Sequence, residues 1–167
     1  MIKNFAIILF PILLIFACVS TNGSYSSSKS ATVNNSKASS TKSQQIVSDA
    51  KKYLGTRYKY GGTTKRGMDC SGLVYTVFSE NNVSLPRTSF AMSTKGKRIK
   101  LGQVKKGDLL FFKTGKSSRK INHVGVVTKI SGSKIYFVHS STSKGVIESS
   151  LATSYWNKAF RFANRVL

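Results

Sequence analysis

Acidic residues are scarce in this chain. Asp49, Asp69, Glu80, Asp108 and Glu148 are the only five, against 27 lysines and arginines, for a formal net charge of +22. A surface so uncompensated favours a polyanionic partner: nucleic acid, anionic lipid head groups or an acidic polymer. Nucleic acid ranks lowest, because no zinc-finger spacing and no RNA-binding aromatic signature accompanies the charge. Cysteine is equally sparse, with only Cys18 and Cys70, which excludes a disulfide framework. Two histidines, His123 and His139, with no third ligand argue against a zinc site. No cofactor or metal is expected. No apolar run is long enough to cross a bilayer as a helix. No internal repeat is present.

What is there divides into three parts. In residues 1–17 Lys3 is the sole charge, Phe5 to Phe16 is uncharged, and small Ala17 precedes Cys18. This is the pattern of an export signal. Ile15-Phe16-Ala17-Cys18 resembles the bacterial lipobox, whose cysteine becomes the lipid-bearing first residue of the mature chain. Val19 stands where an inner-membrane retention signal, typically Asp, would follow, so an extracytoplasmic, lipid-anchored protein is expected, at the outer membrane in a Gram-negative source. Residues 18–45 read as the lipidated cysteine and a flexible Ser, Thr, Asn and Lys linker that buries too little to order itself. As a coil it would span roughly 30 Å. Residues 46–167 suit one domain with one core.

Within that domain, Ile46, Val47, Ala50, Tyr53 and Leu54 fall at helical spacing, ended by Gly55. A loop with Gly61, Gly62 and Gly67 follows. Leu73, Val74, Val77 and Phe78 predict a second helix over Ser71 to Asn81, with Cys70 at its N-terminus. Residues 89–95 suggest a short third helix. The pattern then changes to short β-branched and aromatic runs at 108–112, 124–130, 134–139 and 145–148, which predict antiparallel strands. Residues 155–167 fit helix and strand equally. The order of elements indicates an α+β domain, with N-terminal helices on one side of a central antiparallel sheet.

Cys70 is the candidate nucleophile. A helix start carries unsatisfied N–H groups and positive partial charge, which lower a thiol's pKa and can hold an oxyanion. His123 and His139 lie at strand positions, where a rigid sheet can present a base to the sulfur. A single buried cysteine is more often structural, and a lone histidine among valines more often a satisfied polar group. The combination is what points to a thiol hydrolase.

The blocks Gly55-Thr-Arg-Tyr-Lys-Tyr-Gly-Gly62, Asp69-Cys-Ser-Gly-Leu-Val74, Leu85-Pro-Arg-Thr88, Gly107-Asp-Leu109, His123-Val-Gly-Val126 and Val138-His-Ser-Ser141 occur in this order. Together they resemble the NlpC family of papain-like cell-wall cysteine peptidases. Residues 143–150 and the 155–167 tail look most like its murein endopeptidase lipoproteins. The resemblance implies a papain-like fold and hydrolysis of peptidoglycan peptide stems, at a D,D cross-link or a γ-D-glutamyl–diamino acid bond. It implies Cys70 as nucleophile, His123 as base and His139 as the group orienting His123. By the same resemblance Tyr58 lines the oxyanion site, and Asp69, Ser71 and Arg87 belong to the substrate cleft. Gly61, Gly62, Gly72 and Asp108 are expected to serve backbone turns, and Trp156 the core. Expected partners are peptidoglycan stems and, through Cys18, a membrane; the chain is expected to act as a monomer. Two alternatives stand beside this reading: a papain-like amidase or acyltransferase on another substrate, and a non-catalytic basic wall-binding lipoprotein.

Overall fold

The computed structural model describes residues 29–115 and 119–167. The segment expected to be an export signal, and Cys18, lie outside the described residues. Helix α1 runs over Lys29–Lys51, α2 over Cys70–Glu80, α3 over Ser89–Met92 and α4 over Ser154–Ala159. A two-stranded ribbon, β1 (Thr63–Thr64) and β2 (Gly67–Met68), precedes α2. The main sheet contains β3 (Lys97–Ile99), β4 (Leu109–Phe112), β5 (His123–Ser131), β6 (Lys134–Ser141), β7 (Gly145–Ser150) and β8 (Phe160–Arg165). Its order is β3-β8-β4-β5-β6-β7, with every neighbouring pair antiparallel.

The sheet is covered on both faces, and strand periodicity sorts its residues between two cores. Leu109, Phe111, Val124, Val126 and Val138 join Ile46 and Ala50 of α1 and Leu73, Val74, Val77 and Phe78 of α2. Leu110, Phe112, Val127, Ile135 and Phe137 turn the other way, onto Leu151, Ala159, Ala163 and Trp156. The N-terminal helices thus occupy one face, as the sequence predicts. The opposite face is roofed by α4 and its flanks. The ambiguous 155–167 segment contains both alternatives in succession, α4 and then β8. Helix α1 extends back to Lys29, well into the stretch read as linker. Its packed end carries the apolar contacts, and once a helix is nucleated each further residue adds one hydrogen bond.

All five carboxylates have partners within the fold, with Asp49, Asp69 and Asp108 buried. Asp49 accepts from Lys52, Gln45 and Asn81. Glu80 accepts from the Tyr53 hydroxyl. Asp108 accepts two bonds from the Arg165 guanidinium and one from the Lys105 N–H. Glu148 accepts from Thr128 and pairs with Lys51 at 3.6 Å. Asp69 is held by Arg87.

The start of α2 is set by a close backbone approach. A Cβ on Gly72 would lie 2.0 Å from the Gly62 carbonyl oxygen and 3.0 Å from the Arg87 guanidinium. Alanine in a helix interior is favoured over glycine by about 1 kcal/mol, yet overpacking against backbone costs about 1–3 kcal/mol. The clash wins. Gly72→Ala is therefore expected to lower the melting temperature by several degrees, read by circular dichroism, whereas propensity alone would raise it.

Candidate active site

Asp69 is the N-cap of α2. Its backbone is extended, and its side chain accepts from the Gly72 N–H at 2.6 Å. The same Oδ1 accepts from the Ser71 hydroxyl at 3.1 Å and from Arg87 Nη1 at 3.0 Å. Oδ2 accepts from the Gly61 N–H and from Arg87 Nη2, each at 2.8 Å. Arg87 also donates to the Ser71 hydroxyl at 2.9 Å. Burial alone would raise the Asp69 carboxyl pKa, but Arg87 and the Gly72 and Gly61 N–H groups hold it below the ordinary value. Asp69, Ser71 and Arg87 form one bonded unit under the first turn of α2. Cys70 sits directly on it.

Tyr58 reaches the same place through the chain just before α2. Lys59 N–H donates to the Met68 carbonyl and Met68 N–H to that of Arg57, pairing Tyr58 with Met68. The Ser140 hydroxyl donates to the Met68 carbonyl at 2.7 Å. Met68 thus ties the Tyr58 segment to the strand carrying His139, two residues before the thiol. Tyr58 is half-buried, and its phenol pKa is raised by burial and then by the negative charge Cys70 can carry beside it.

The Cys70 sulfur faces the beginning of β5. Its S–H lies 3.9 Å from the Asn122 carbonyl, and the Val124 N–H points toward the sulfur. The thiol therefore straddles the backbone on both sides of His123. His123 Nε2 lies 3.1 Å from His139 Nδ1, and His139 Nε2 lies 2.9 Å from the Ser149 hydroxyl. With His123 Nδ1 as the proton acceptor, Nε2–H would donate to His139 Nδ1 and His139 Nε2–H to Ser149; the reverse tautomers fit the same distances. Gly125 permits the close crossing of β5 and β6. A Cβ there would meet Phe137 at 2.6 Å and the His139 Cβ at 3.3 Å.

Trp156 covers the pair. Its ring stacks on His123 at 5.2 Å between centroids and meets His139 edge-on at 4.5 Å. Phe112 and Phe137 complete the surround. Sequence reading placed Trp156 in the core. It is half-buried there, and it also touches both imidazoles. Ser149 carries no signal of its own in the sequence; only the β6–β7 register brings it beside His139. Among the described residues no cluster of three or more His, Cys, Asp or Glu side chains is assembled to hold a metal ion.

The protonation of the pair differs from the sequence expectation. Burial pushes the Cys70 thiol up to about 11, with the Asp69 charge adding to it. The N–H groups of Val124, Ser71 and Cys70 itself pull the other way. The residue keeps some exposure to the cleft, but its sulfur is surrounded by protein. Burial pushes His123 down to about 4, and burial with the His123 charge takes His139 to about 3. For each group taken singly, desolvation outweighs the helix start and favours the neutral thiol and the neutral imidazole. Such a pair can pass the thiol proton to His123 as sulfur attacks, when each new charge stabilises the other. Iodoacetamide labelling of Cys70 is expected to be slow at pH 5 and to rise toward alkaline pH. A preformed thiolate–imidazolium pair would instead label fast from pH 5 upward. The histidines also link pH to folding. Their folded pKa values lie below the unfolded value near 6.5, so they contribute stability that is present above pH 6.5 and lost as pH falls toward about 4. Thermal melts between pH 7 and pH 4 should show this decline.

Comparison with known proteins places this geometry in a family. Residues 55–165 match the model of the NlpC/P60 family. The murein DD-endopeptidase MepS/murein LD-carboxypeptidase of Escherichia coli K12 is 39% identical over 124 residues, covering 74% of this chain and 62% of that protein. The probable endopeptidase NlpC of the same strain is 42% identical over 113 residues, covering 67% of this chain and 70% of its own. A crystal structure of an NlpC/P60 family protein from Bacillus cereus ATCC 10987 superposes with a TM-score of 0.67 at 27% identity, over 75% of this chain and 40% of that one. The chain thus spans about 62% of the length of MepS. The matched segment contains Tyr58, Asp69, Cys70, Arg87, His123 and His139 together, and the chain belongs to the NlpC/P60 family.

Proposed function

We propose that this protein is a peptidoglycan hydrolase that cleaves peptide-stem amide bonds through an acyl-enzyme on Cys70. The observation that carries the reading is the ordered set of Cys70 at the α2 start, His123 flanked by the two residues that face the sulfur, and His139 bonded to His123 at 3.1 Å. His123 Nδ1 takes the thiol proton as Sγ attacks the carbonyl, then gives it to the departing nitrogen. His139, fixed by Ser149, holds the His123 ring in the useful tautomer. The N–H of Cys70 and the hydroxyl of Tyr58 stabilise the oxyanion. Arg87, half-exposed above Asp69 and Ser71, faces the substrate, and those two residues hold it in place. The relatives named as murein endopeptidases favour the D,D cross-link over the γ-D-glutamyl–diamino acid bond.

Cys18 supplies the anchor in this reading. Its acyl chains bury methylenes worth about 0.8 kcal/mol each, so more than one chain holds the protein to a membrane. The enzyme then works extracytoplasmically as a monomer, at the outer membrane in a Gram-negative host.

Cys70→Ser keeps the shape and weakens the nucleophile, so release of muropeptides from purified peptidoglycan should fall by orders of magnitude with the fold intact. Mass spectrometry of the products identifies the bond, and wild-type turnover by a folded Cys70→Ser variant would refute the mechanism. Labelled palmitate should enter the wild-type chain in a bacterial host and fail to enter Cys18→Ser. A mature protein that begins elsewhere and stays soluble would refute the anchor.

A further inference from the structure

The proton that His123 accepts must be returned to the departing nitrogen, so that nitrogen lies against the His123 ring. An open cavity of 360 Å³ begins at this ring. Its walls are Thr114 beyond β4, the β6–β7 turn with Ser143 and Lys144, and Tyr155 and Trp156 of α4. None of the five acids lines it, and the two histidines that border it are buried and held neutral. Among the described residues the only charge in the lining is the Lys144 ammonium. Hydroxyls and one cation around an aromatic floor suit an occupant with a small anionic group. A cationic occupant would meet Lys144 with no carboxylate to receive it.

We infer that this cavity is the leaving-group subsite, and that Lys144 reads a carboxylate on the carbon bearing the released amine. The inference rests on the hydrolase reading above and adds its specificity. In the acylation step the Sγ–C bond forms, the C–N bond breaks, and the thiol proton passes through His123 to the leaving nitrogen. The released product is an amino acid or peptide whose new amine stands beside a free carboxylate. Both the diamino acid of a D,D cross-link and a terminal D-amino acid meet that description.

The test uses two cross-linked muropeptides that are identical except at the carboxyl group next to the scissile nitrogen, which is free in one and amidated in the other. The wild-type protein should cleave the free acid with kcat/KM about tenfold higher, the size of one charge-assisted hydrogen bond. Lys144→Gln should bring the ratio near one, and Lys144→Glu should reverse it. Raising ionic strength should shrink the wild-type ratio. A wild-type protein that cleaves both alike, or a Lys144→Glu variant that keeps the preference, overturns the assignment. Failure of the underlying reading looks different: neither peptide is cleaved by the wild type, or cleavage survives Cys70→Ser.

Discussion

The carboxylate of Asp69 is the interaction on which the active end of this molecule depends. One buried group caps α2, receives both arms of Arg87, binds the Ser71 hydroxyl and fixes the Gly61 N–H. Those bonds join the glycine turn, the first turn of α2 and the segment before α3. Cys70 is the next residue, so the direction of its sulfur is set by this ring of donors. Removing Arg87 would leave a buried charge short of its cation, which costs far more than the pair contributes. The backbone permits the ring only because Gly72 has no side chain to strike Gly62.

The second requirement is a histidine pair held dry. Strand alternation puts His123 and His139 on the face away from α1 and α2, beneath Trp156. The proposed nucleophile comes from one side of the sheet and its proposed base from the other, and they meet where β5 begins. The aromatic roof excludes water from the His123–His139 bond and depresses both basicities. What the site gains is a fixed ring orientation. In the proposed mechanism the proton moves during attack.

Much of this was readable from the chain, because helical and alternating patterns report one-sided burial directly. The apolar face of α2, the β5 and β6 runs and the motif blocks all arise from such local patterns. The polar turns of α1 carry no apolar period, so nothing in them announces helix back to Lys29. Ser149 is one serine among many, and its partnership with His139 comes from hairpin register, which pairs Phe137 with Ser149 and His139 with Ile147. Trp156 looked like core because its packing is core packing. That it rests on the two imidazoles follows from α4 crossing the far face, a tertiary fact. A helix start, which lowers a thiol's pKa, is visible in sequence; the depth of burial, which raises it, is not.

The engagement of all five carboxylates with partners in the fold has a consequence for how the molecule responds to its medium. Carboxyl groups ordinarily titrate well below neutrality, and lysine, arginine and tyrosine well above it. Histidine is the side chain that ordinarily changes charge between, and both copies here are kept neutral by burial. The folded domain is thus electrostatically blind to pH around neutrality. Its positive field toward an anionic surface is adjusted by salt, which screens it, and hardly at all by protons. Acidification acts on the frame instead: protons that reach Asp69 or the histidines loosen the site while the outer charge stays almost as it was.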